Sequence, residues 1–229
     1  PPALGDLGLG KEPIVKEYGG VKDDSVLTFE EHKNTVVAIG YSPNGDKLAS
    51  GDGNGIVKVW DPKSGKGIYE IQGSKYGRVW AVDWNSTGTR LVSGGEDTTV
   101  RIWDTANGKE LRTLEGHEGR VTTVAWNPDG SRLASGGLDK TTRVWDVASG
   151  KEIHTLKGNK GRVSAVAWSP DGSRFASGSA DGIVKVWDAG SYTEIHTLKG
   201  HSGCVWSIAW SPDGTRLVSG SRDEPIPLY

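Results

Sequence analysis

One stretch in the second half of the chain carries the pattern that decides the fold. Residues 163–188 read VSAVAWSPDGSRFASGSADGIVKVWD, in which three short runs of Val, Ala, Phe, Ile and Trp alternate with turn-forming residues. Pro-Asp-Gly at 170–172 separates the first two runs and Ala-Asp-Gly at 180–182 separates the next two, and both are turn signals. A fourth run follows at 194–198. We therefore predict an antiparallel meander of four short strands, and we find no amphipathic helical pattern.

The same pattern recurs along the whole chain. A Trp-Asp pair ends the third run of four units, and its tryptophans are 43, 42 and 42 residues apart: Trp60, Trp103, Trp145 and Trp187. A Pro-Asx-Gly turn recurs in phase at 43–45, 128–130, 170–172 and 212–214, with Ser-Thr-Gly at 86–88 in the remaining unit. Repeats of about 40–45 residues that each contain four strands are typical of propeller blades.

These residues resemble the WD40 repeat family. The shared motifs are the Trp-Asp pairs, Gly-His at 116–117 and 200–201, and Leu-Ala-Ser-Gly at 48–51 and 133–136. The resemblance covers about residues 25–229. It implies an all-β chain that forms a WD40-type β-propeller with five recognisable four-stranded blade repeats. We place the repeats at about 32–72, 73–115, 116–157, 158–199 and 200–229, with 25–30 as a candidate closing outer strand.

Residues 1–24 differ in composition from the repeats. They contain three prolines and five glycines and none of the repeat motifs. Such a segment buries little apolar surface, so we predict a flexible N-terminal extension.

Two models remain open for the arrangement of the five repeats. WD40 proteins usually begin with the outermost strand of the last blade, and residues 25–29 precede His32 as residues 194–198 precede His201. This phase would allow a closed five-blade ring, which removes exposed sheet edges. Family members mostly have seven blades, however, and Pro225 and Pro227 remove hydrogen-bond donors from one edge of the last strand. The second model is an open part of a larger propeller.

Composition narrows the classes of function. The net charge is −2, so we do not expect a nucleic-acid surface, and no apolar run approaches the ~20 residues of a membrane helix. The single cysteine, Cys204, favours a reducing compartment, and we expect the cytoplasm or the nucleus. No histidine or cysteine cluster has metal-ligand spacing, and no phosphate-binding loop motif occurs. We therefore expect no cofactor, no metal and no small-molecule substrate.

The family resemblance implies a structural hydrogen-bond network of His, Ser or Thr, Asp and Trp in each blade. A buried indole N–H needs an acceptor, and a histidine can link a hydroxyl to a carboxylate. All four residues occur only in the third repeat, as His117, Ser135, Asp139 and Trp145; the first has His32, Ser50 and Trp60 with Asn54 in place of the Asp, and the fifth has His201, Ser219 and Asp223 with Tyr229 in place of the Trp. Ser74 and Asn159 occupy the His position of the second and fourth repeats.

The Ser-His-Asp combination also has a catalytic interpretation, because the same residue types form hydrolase triads. A catalytic site is normally singular, whereas this combination recurs with the repeat. We therefore favour the structural interpretation and predict that the chain is not an enzyme.

The resemblance also implies a binding surface. In the family, three positions per blade line the upper face: the two that flank the first valine of the innermost strand and the one before the hairpin Asp. The partner-binding residues predicted in this way are Arg78, Trp80, Glu96, Arg120, Leu138, Arg162, Trp206 and Arg222, and Thr122 and Ser164 occupy equivalent positions. Exposed Trp and Arg are common interface anchors, and arginines bind carboxylates or phosphates through paired hydrogen bonds.

Structural interpretations of these residues, without a role in binding, also remain open. The arginines could be repeat consensus residues paired with nearby acids such as Glu118, and the two tryptophans could belong to the core.

The function predicted from these features is a non-catalytic protein-protein interaction scaffold. It would bind a peptide or protein partner on the upper face, and our hypothesis is that this partner is acidic or phosphorylated. One alternative is a permanent architectural subunit of a larger complex, which docks through blade edges or the N-terminal extension. Another is a substrate receptor of a ubiquitin ligase, because Trp60-Asp61-Pro62-Lys63 loosely resembles a Trp-Asp-x-Arg element of such receptors.

Overall fold

The computed structural model describes residue 29 and residues 31–221, and these residues form antiparallel sheets joined by turns, without a helix. Each sheet follows the order of the sequence, as a meander, and we call the sheets blades 1 to 5. Blade 1 contains β1 (Val36–Tyr41), β2 (Leu48–Asp52), β3 (Ile56–Trp60) and β4 (Gly67–Gln72). Blade 2 contains β5 (Val79–Trp84), β6 (Arg90–Gly95), β7 (Val100–Asp104) and β8 (Glu110–Leu114).

The remaining strands continue this pattern. Blade 3 contains β9 (Val121–Trp126), β10 (Arg132–Gly137), β11 (Thr142–Asp146) and β12 (Glu152–Leu156). Blade 4 contains β13 (Val163–Trp168), β14 (Arg174–Ser179), β15 (Ile183–Asp188) and β16 (Glu194–Lys199). Blade 5 contributes β17 (Val205–Trp210) and β18 (Leu217–Ser221). The predicted all-β fold of propeller blades is confirmed.

Several predictions concern residues outside the described part of the chain. These are the extension at 1–24, the candidate closing strand apart from Phe29 and residues at the end of blade 5. Phe29 packs edge-on against Trp60, with ring centroids 5.2 Å apart.

A β-bulge occurs at the same position of the first strand in all five blades. The pairing register shifts immediately after the first valine, so that one residue per blade is left out of the ladder. The bulged residues are Val37, Trp80, Thr122, Ser164 and Trp206. A bulge redirects the side chain of the extra residue, and this device aims one side chain per blade away from the regular pleat.

The core lies between successive blades. β1, β5, β9, β13 and β17 follow one another in contact, and each of four apolar clusters combines side chains of two neighbouring blades. Between blades 1 and 2, for example, Val57 and Val59 pack with Val79, Trp84 and Trp103. Burial of these side chains is the main source of stability, at roughly 25 cal/mol for each Å² of apolar surface removed from water.

Among residues 31–221, nothing covers the outward face of β1 at the start of this row. On β1, Ile39 is 72% exposed and Tyr41 is 62% exposed, whereas Trp84, which corresponds to Tyr41 in blade 2, is buried. The part of the chain that the structure describes therefore forms an open row of five blades and not a closed ring. No helix of this part is long and apolar enough to span a membrane.

Candidate functional site

The first strands of the blades line a common cavity of about 860 Å³. All five blades contribute to its wall. Four of the predicted binding residues are among the lining side chains: Trp80, Arg120, Arg162 and Trp206. A concave surface of this size, with aromatic and charged groups on one wall, has the dimensions of a ligand site.

Trp80 is the centre of a four-residue cluster on this wall. Its indole Nε1 donates a hydrogen bond to Glu96 Oε2 at 2.6 Å. The guanidinium carbons of Arg120 and Arg78 lie 4.6 and 5.3 Å from the Trp80 ring centroid. Arg120 also lies 3.5 Å from Glu96, so Glu96, rather than Glu118, is its carboxylate partner.

A second Arg-Trp stack lines the same cavity. The guanidinium carbon of Arg162 is 5.0 Å from the Trp206 ring centroid, and Trp206 is 55% exposed. Neither Trp206 nor Trp80 belongs to the buried core. Within residues 31–221, neither Arg162 nor Arg78 has a carboxylate within ion-pair distance.

Backbone hydrogen bonds bring two of the three predicted positions together in blades 1 to 4. The N–H of the residue before the hairpin Asp donates to the carbonyl of the residue before the first valine. The distances are 2.8 Å for Glu96 to Arg78 and 2.9 Å for Leu138 to Arg120. Leu138 is exposed but does not line the cavity, and Arg222 lies outside the described residues.

Thr122 and Ser164 have a structural role in addition to their place on the wall. The Thr122 hydroxyl donates to the carbonyls of Gly136 in its own blade and Val163 in the next. The Ser164 hydroxyl does the same with Gly178 and Val205. At the bulge, a short hydroxyl side chain therefore joins neighbouring blades, whereas tryptophan projects into the cavity.

The four-residue network of blade 3 is a buried chain of hydrogen bonds. His117 Nδ1 lies 2.8 Å from Asp139 Oδ2, and His117 Nε2 lies 2.8 Å from Ser135 Oγ. Trp145 Nε1 donates to the same Ser135 Oγ at 2.8 Å. Ser135 is fully buried. Its hydroxyl is occupied by Trp145 and closed to a substrate, so these groups do not form a hydrolase site.

Blade 1 corrects one of our assignments. We expected its network to lack a carboxylate because Asn54 stands in the Asp position. Instead, Asp52 Oδ2 lies 2.9 Å from His32 Nδ1, while His32 Nε2 and Trp60 Nε1 share Ser50 Oγ. Asp52 is two residues earlier in the hairpin, and its carboxylate reaches the same place because the chain turns back there. In blade 5, His201 Nε2 lies 2.8 Å from Ser219 Oγ, and Asp223 is outside the described residues.

Blade 2 replaces the missing histidine with a cation from the third strand. Arg101 Nη1 lies 2.7 Å from Asp97 Oδ2, and it also donates to the Gly73 carbonyl. Trp103 Nε1 still donates to Ser93 Oγ. Burial alone would raise the pKa of Asp97, but the Lys75 backbone N–H and the Arg101 guanidinium outweigh it and lower the pKa.

The hydrogen-bond network of blade 4 is incomplete. Asn159 occupies the His position and is buried, yet neither its Oδ1 nor its Nδ2 has a hydrogen-bond partner among the described residues. Ser177 Oγ accepts from Trp187 Nε1. Asp181 bonds to the Ser179 hydroxyl instead, and the residue equivalent to Ser179 in blade 3 is Gly137.

We expect the double variant Asn159→His, Ser179→Gly to be more stable than the natural chain. The change copies blade 3 at both positions, where a Cβ on Gly137 would approach to 2.9 Å from His117 Nδ1. Two new hydrogen bonds and the loss of two orphaned polar atoms should add about 1–2 kcal/mol. Thermal unfolding checks this, with Ser179→Gly alone as the control that should melt lower. A double variant that melts at or below the natural chain would contradict the prediction.

One carboxylate at the inner strands was missed in the sequence. Asp83 stands where the other blades have Gly40, Ala125, Ala167 and Ala209, and this departure from a small-residue position is the signal that could have identified it. It accepts hydrogen bonds from the backbone N–H groups of Trp84 at 2.9 Å and of Trp126, in the next blade, at 2.8 Å. Burial raises the pKa of Asp83 to about 6, against the two hydrogen bonds.

This pKa predicts a definite pH dependence. Between pH 4.5 and 7.5, Asp83 still binds its proton in the native state at pH values where the unfolded chain has already lost it. The contribution of Asp83 to the free energy of unfolding therefore becomes less favourable as the pH rises. The variant Asp83→Ala carries the residue found in blades 3 to 5. Its free energy of unfolding, relative to that of the natural chain, should therefore increase by about 2 kcal/mol from pH 4.5 to pH 7.5. We would measure the difference in unfolding free energy between the two proteins, because the other carboxylates contribute equally to the pH dependence of both. A difference that does not change with pH would refute the assignment.

The chain matches a family model over most of its length. The model is described as WD domain, G-beta repeat, and it matches residues 23–61, 65–104, 108–146, 150–188 and 192–224. Each segment that lies within the described residues begins near a fourth strand and ends at a Trp-Asp pair. The repeating unit in sequence is thus offset from the blade by one strand. Among the described residues there is also no cluster of His, Cys, Asp and Glu that could hold a metal ion.

Proposed function

Since this chain belongs to the WD40 repeat family, whose repeats generally mediate protein-protein interactions, we propose that it is a non-catalytic module that binds an extended anionic segment of a partner protein. The segment would lie across the cavity wall between the Trp80 cluster and the Trp206–Arg162 stack. Its acidic or phosphorylated side chains would pair with the arginines. Trp206 and Trp80 would provide apolar contact area.

One observation carries this proposal: Arg162 and Arg78 stack on tryptophans at the cavity and have no carboxylate partner within residues 31–221. A guanidinium that lies against an indole keeps its N–H edge available, and stacking restricts its motion before a ligand arrives. Carboxylates and phosphates match this edge with two parallel hydrogen bonds. Arg120, which lies close to Glu96, would contribute less.

Selection from degenerate peptide libraries tests the proposal. Four libraries would share random flanks and differ at one fixed residue: phosphoserine, glutamate, serine or lysine. We expect the natural chain to retain the first two in preference to the others. The variant Arg162→Ala, Trp206→Ala should lose this preference, whereas Arg216→Ala, an exposed arginine that does not line the cavity, should keep it.

The outcomes separate the parts of the proposal. Equal retention of the serine and phosphoserine libraries, together with equal retention of serine and glutamate, would exclude anion recognition. Anion preference that persists in the double variant would place the binding surface elsewhere. Circular dichroism of all three proteins ensures that folded chains are compared.

A further inference from the structure

The same contact between neighbouring blades occurs four times in this chain. In each, a valine at the start of a first strand packs against a glycine of the second strand of the preceding blade. A Cβ on Gly51 would lie 2.6 Å from Val79 Cγ1, so a larger residue would collide with the valine. The equivalent pairs are Gly94 with Val121, Gly136 with Val163 and Gly178 with Val205, and all four of these valines are fully buried.

Two more kinds of contact recur between neighbouring blades. The tryptophan at the end of the first strand donates its indole N–H to a carbonyl of the preceding blade, from Trp84 to Gly40 at 2.9 Å and from Trp210 to Ala167 at 3.1 Å. At three of the four contacts, a Cβ on the glycine of the first hairpin would lie close to the proline of the preceding hairpin, for example at Gly172, 3.6 Å from Pro128 Cδ.

The two ends of the row each carry one half of this three-part contact. Blade 1 presents Val36, which is 41% exposed, together with Tyr41 in the tryptophan position and Gly45, where a Cβ would have no neighbour within 4 Å among the described residues. Blade 5 presents the other half at Gly220, the Ala209 carbonyl and Pro212. Within the described residues, the only side chain near a Cβ on Gly220 would be Ser207 of the same blade.

We propose that these two surfaces bind each other between copies of the chain, so that blade 1 of one copy packs head to tail on blade 5 of the next. Val36 would fill the place beside Gly220, and the Tyr41 hydroxyl would donate to the Ala209 carbonyl. This surface meets the cavity of the proposed function at Ile39, whereas Val36, Tyr41 and Gly220 do not line the cavity, and the inference does not depend on the proposed function. Because the two halves differ, the contact is heterologous and propagates from copy to copy.

The shape of the two surfaces favours a second copy over another occupant. A blade carries groups that match a glycine, a carbonyl and a proline at this spacing. A helix or loop of another protein is not expected to carry them. The exposed face of blade 1 is apolar at Val36, Ile39 and Tyr41, and such patches mark interaction sites. Neighbouring blades of one chain meet at an effective concentration on the order of millimolar, because the chain joins them. Separate copies are not joined in this way, so their contact requires high protein concentration.

Cysteine cross-linking of the full chain tests this contact directly. The variant Val36→Cys, Gly220→Cys would be made in a Cys204→Ser background. At the internal contact, a Cβ on Gly51 would lie 2.9 Å from Val79 Cβ, and disulfides form at a Cβ separation of about 3.5–4.5 Å. Gly51→Cys, Val79→Cys is the positive control for this geometry.

We expect a ladder of covalent dimers, trimers and longer species under oxidising conditions, with a yield that increases with concentration. Either single-cysteine variant can give dimers but no ladder. A disulfide within one copy would show that the ends of a single chain meet, and absence of the disulfide would show that they do not meet at all. Both results would overturn the proposal.

Sedimentation velocity gives a second, cysteine-free measurement. Ile39→Lys places a charge on the exposed face of blade 1, and Ile68→Lys places the same charge on β4, where Ile68 is also exposed. The natural chain and Ile68→Lys should show sedimentation coefficients that rise with concentration, and Ile39→Lys should not. Identical behaviour of the three proteins would contradict the proposed interface.

Discussion

Replacement of Gly178 by alanine is expected to destabilise the protein by about 2–3 kcal/mol, because the new methyl group overpacks the contact between blades 4 and 5. A Cβ there would lie 2.5 Å from Val205 Cγ1 and 2.9 Å from Ile208 Cδ1. Valine is β-branched and has one preferred rotamer in most contexts, so it cannot turn aside easily. The loss should appear as a lower melting temperature in circular dichroism or tryptophan fluorescence.

Gly220→Ala is the matched control for this prediction. Gly220 has the same place in blade 5, but within the described residues only the flexible Ser207 side chain lies near its Cβ position. Alanine there should be neutral, or stabilising by up to about 1 kcal/mol because it restricts the unfolded chain. If both variants melted alike, the contact between blades would not be the reason for glycine at this position.

His117→Ala is expected to have the second large effect, a destabilisation of about 2–4 kcal/mol. The substitution removes two hydrogen bonds and leaves the buried carboxylate of Asp139 without its main partner. A fall in melting temperature of several degrees should follow. His196→Ala, which removes an exposed histidine of β16, is the control. An unchanged melting temperature for His117→Ala would count against the network.

The effect of His117→Ala should also depend on pH. Burial would raise the pKa of Asp139, but the hydrogen bond and charge of His117 and the backbone N–H groups of Thr141 and Glu118 lower it well below its ordinary value. The resulting stability is present above the ordinary carboxyl pKa and is lost as the pH falls below it. The difference between His117→Ala and the natural chain should therefore shrink in acid.

Much of the fold could be read from local sequence. The Pro-Asp-Gly turn at 170–172 and the Trp187-Asp188 pair indicated the four strands of blade 4, because turn residues and alternating apolar runs act over short distances. The four Trp-Asp pairs and the Pro-Asp-Gly turn at 212–214 indicated five repeats for the same reason.

The candidate site could be predicted only in part. The family positions led to Trp80 and Trp206, and both line the cavity. Arg120 pairs with Glu96, whereas the Arg162 guanidinium stacks on Trp206 and lies 3.9 Å from Cys204 Sγ, and both arrangements depend on side chains from different blades. Asp52 in the network of blade 1 was likewise invisible, because its role depends on the path of the hairpin and not on a consensus position.

The sequence by itself determined the repeating blade, since turns, strand periodicity and the His-Ser-Asp-Trp pattern are local properties of one unit of about 42 residues. Only the tertiary structure decided what happens between units. Gly51, Gly178 and Gly220 each follow a serine at the same place in the second strand, yet the first two each receive a valine from the next blade and, within the described residues, the last does not. The difference arises because a contact between blades requires two partners, and a repeat pattern describes only one of them.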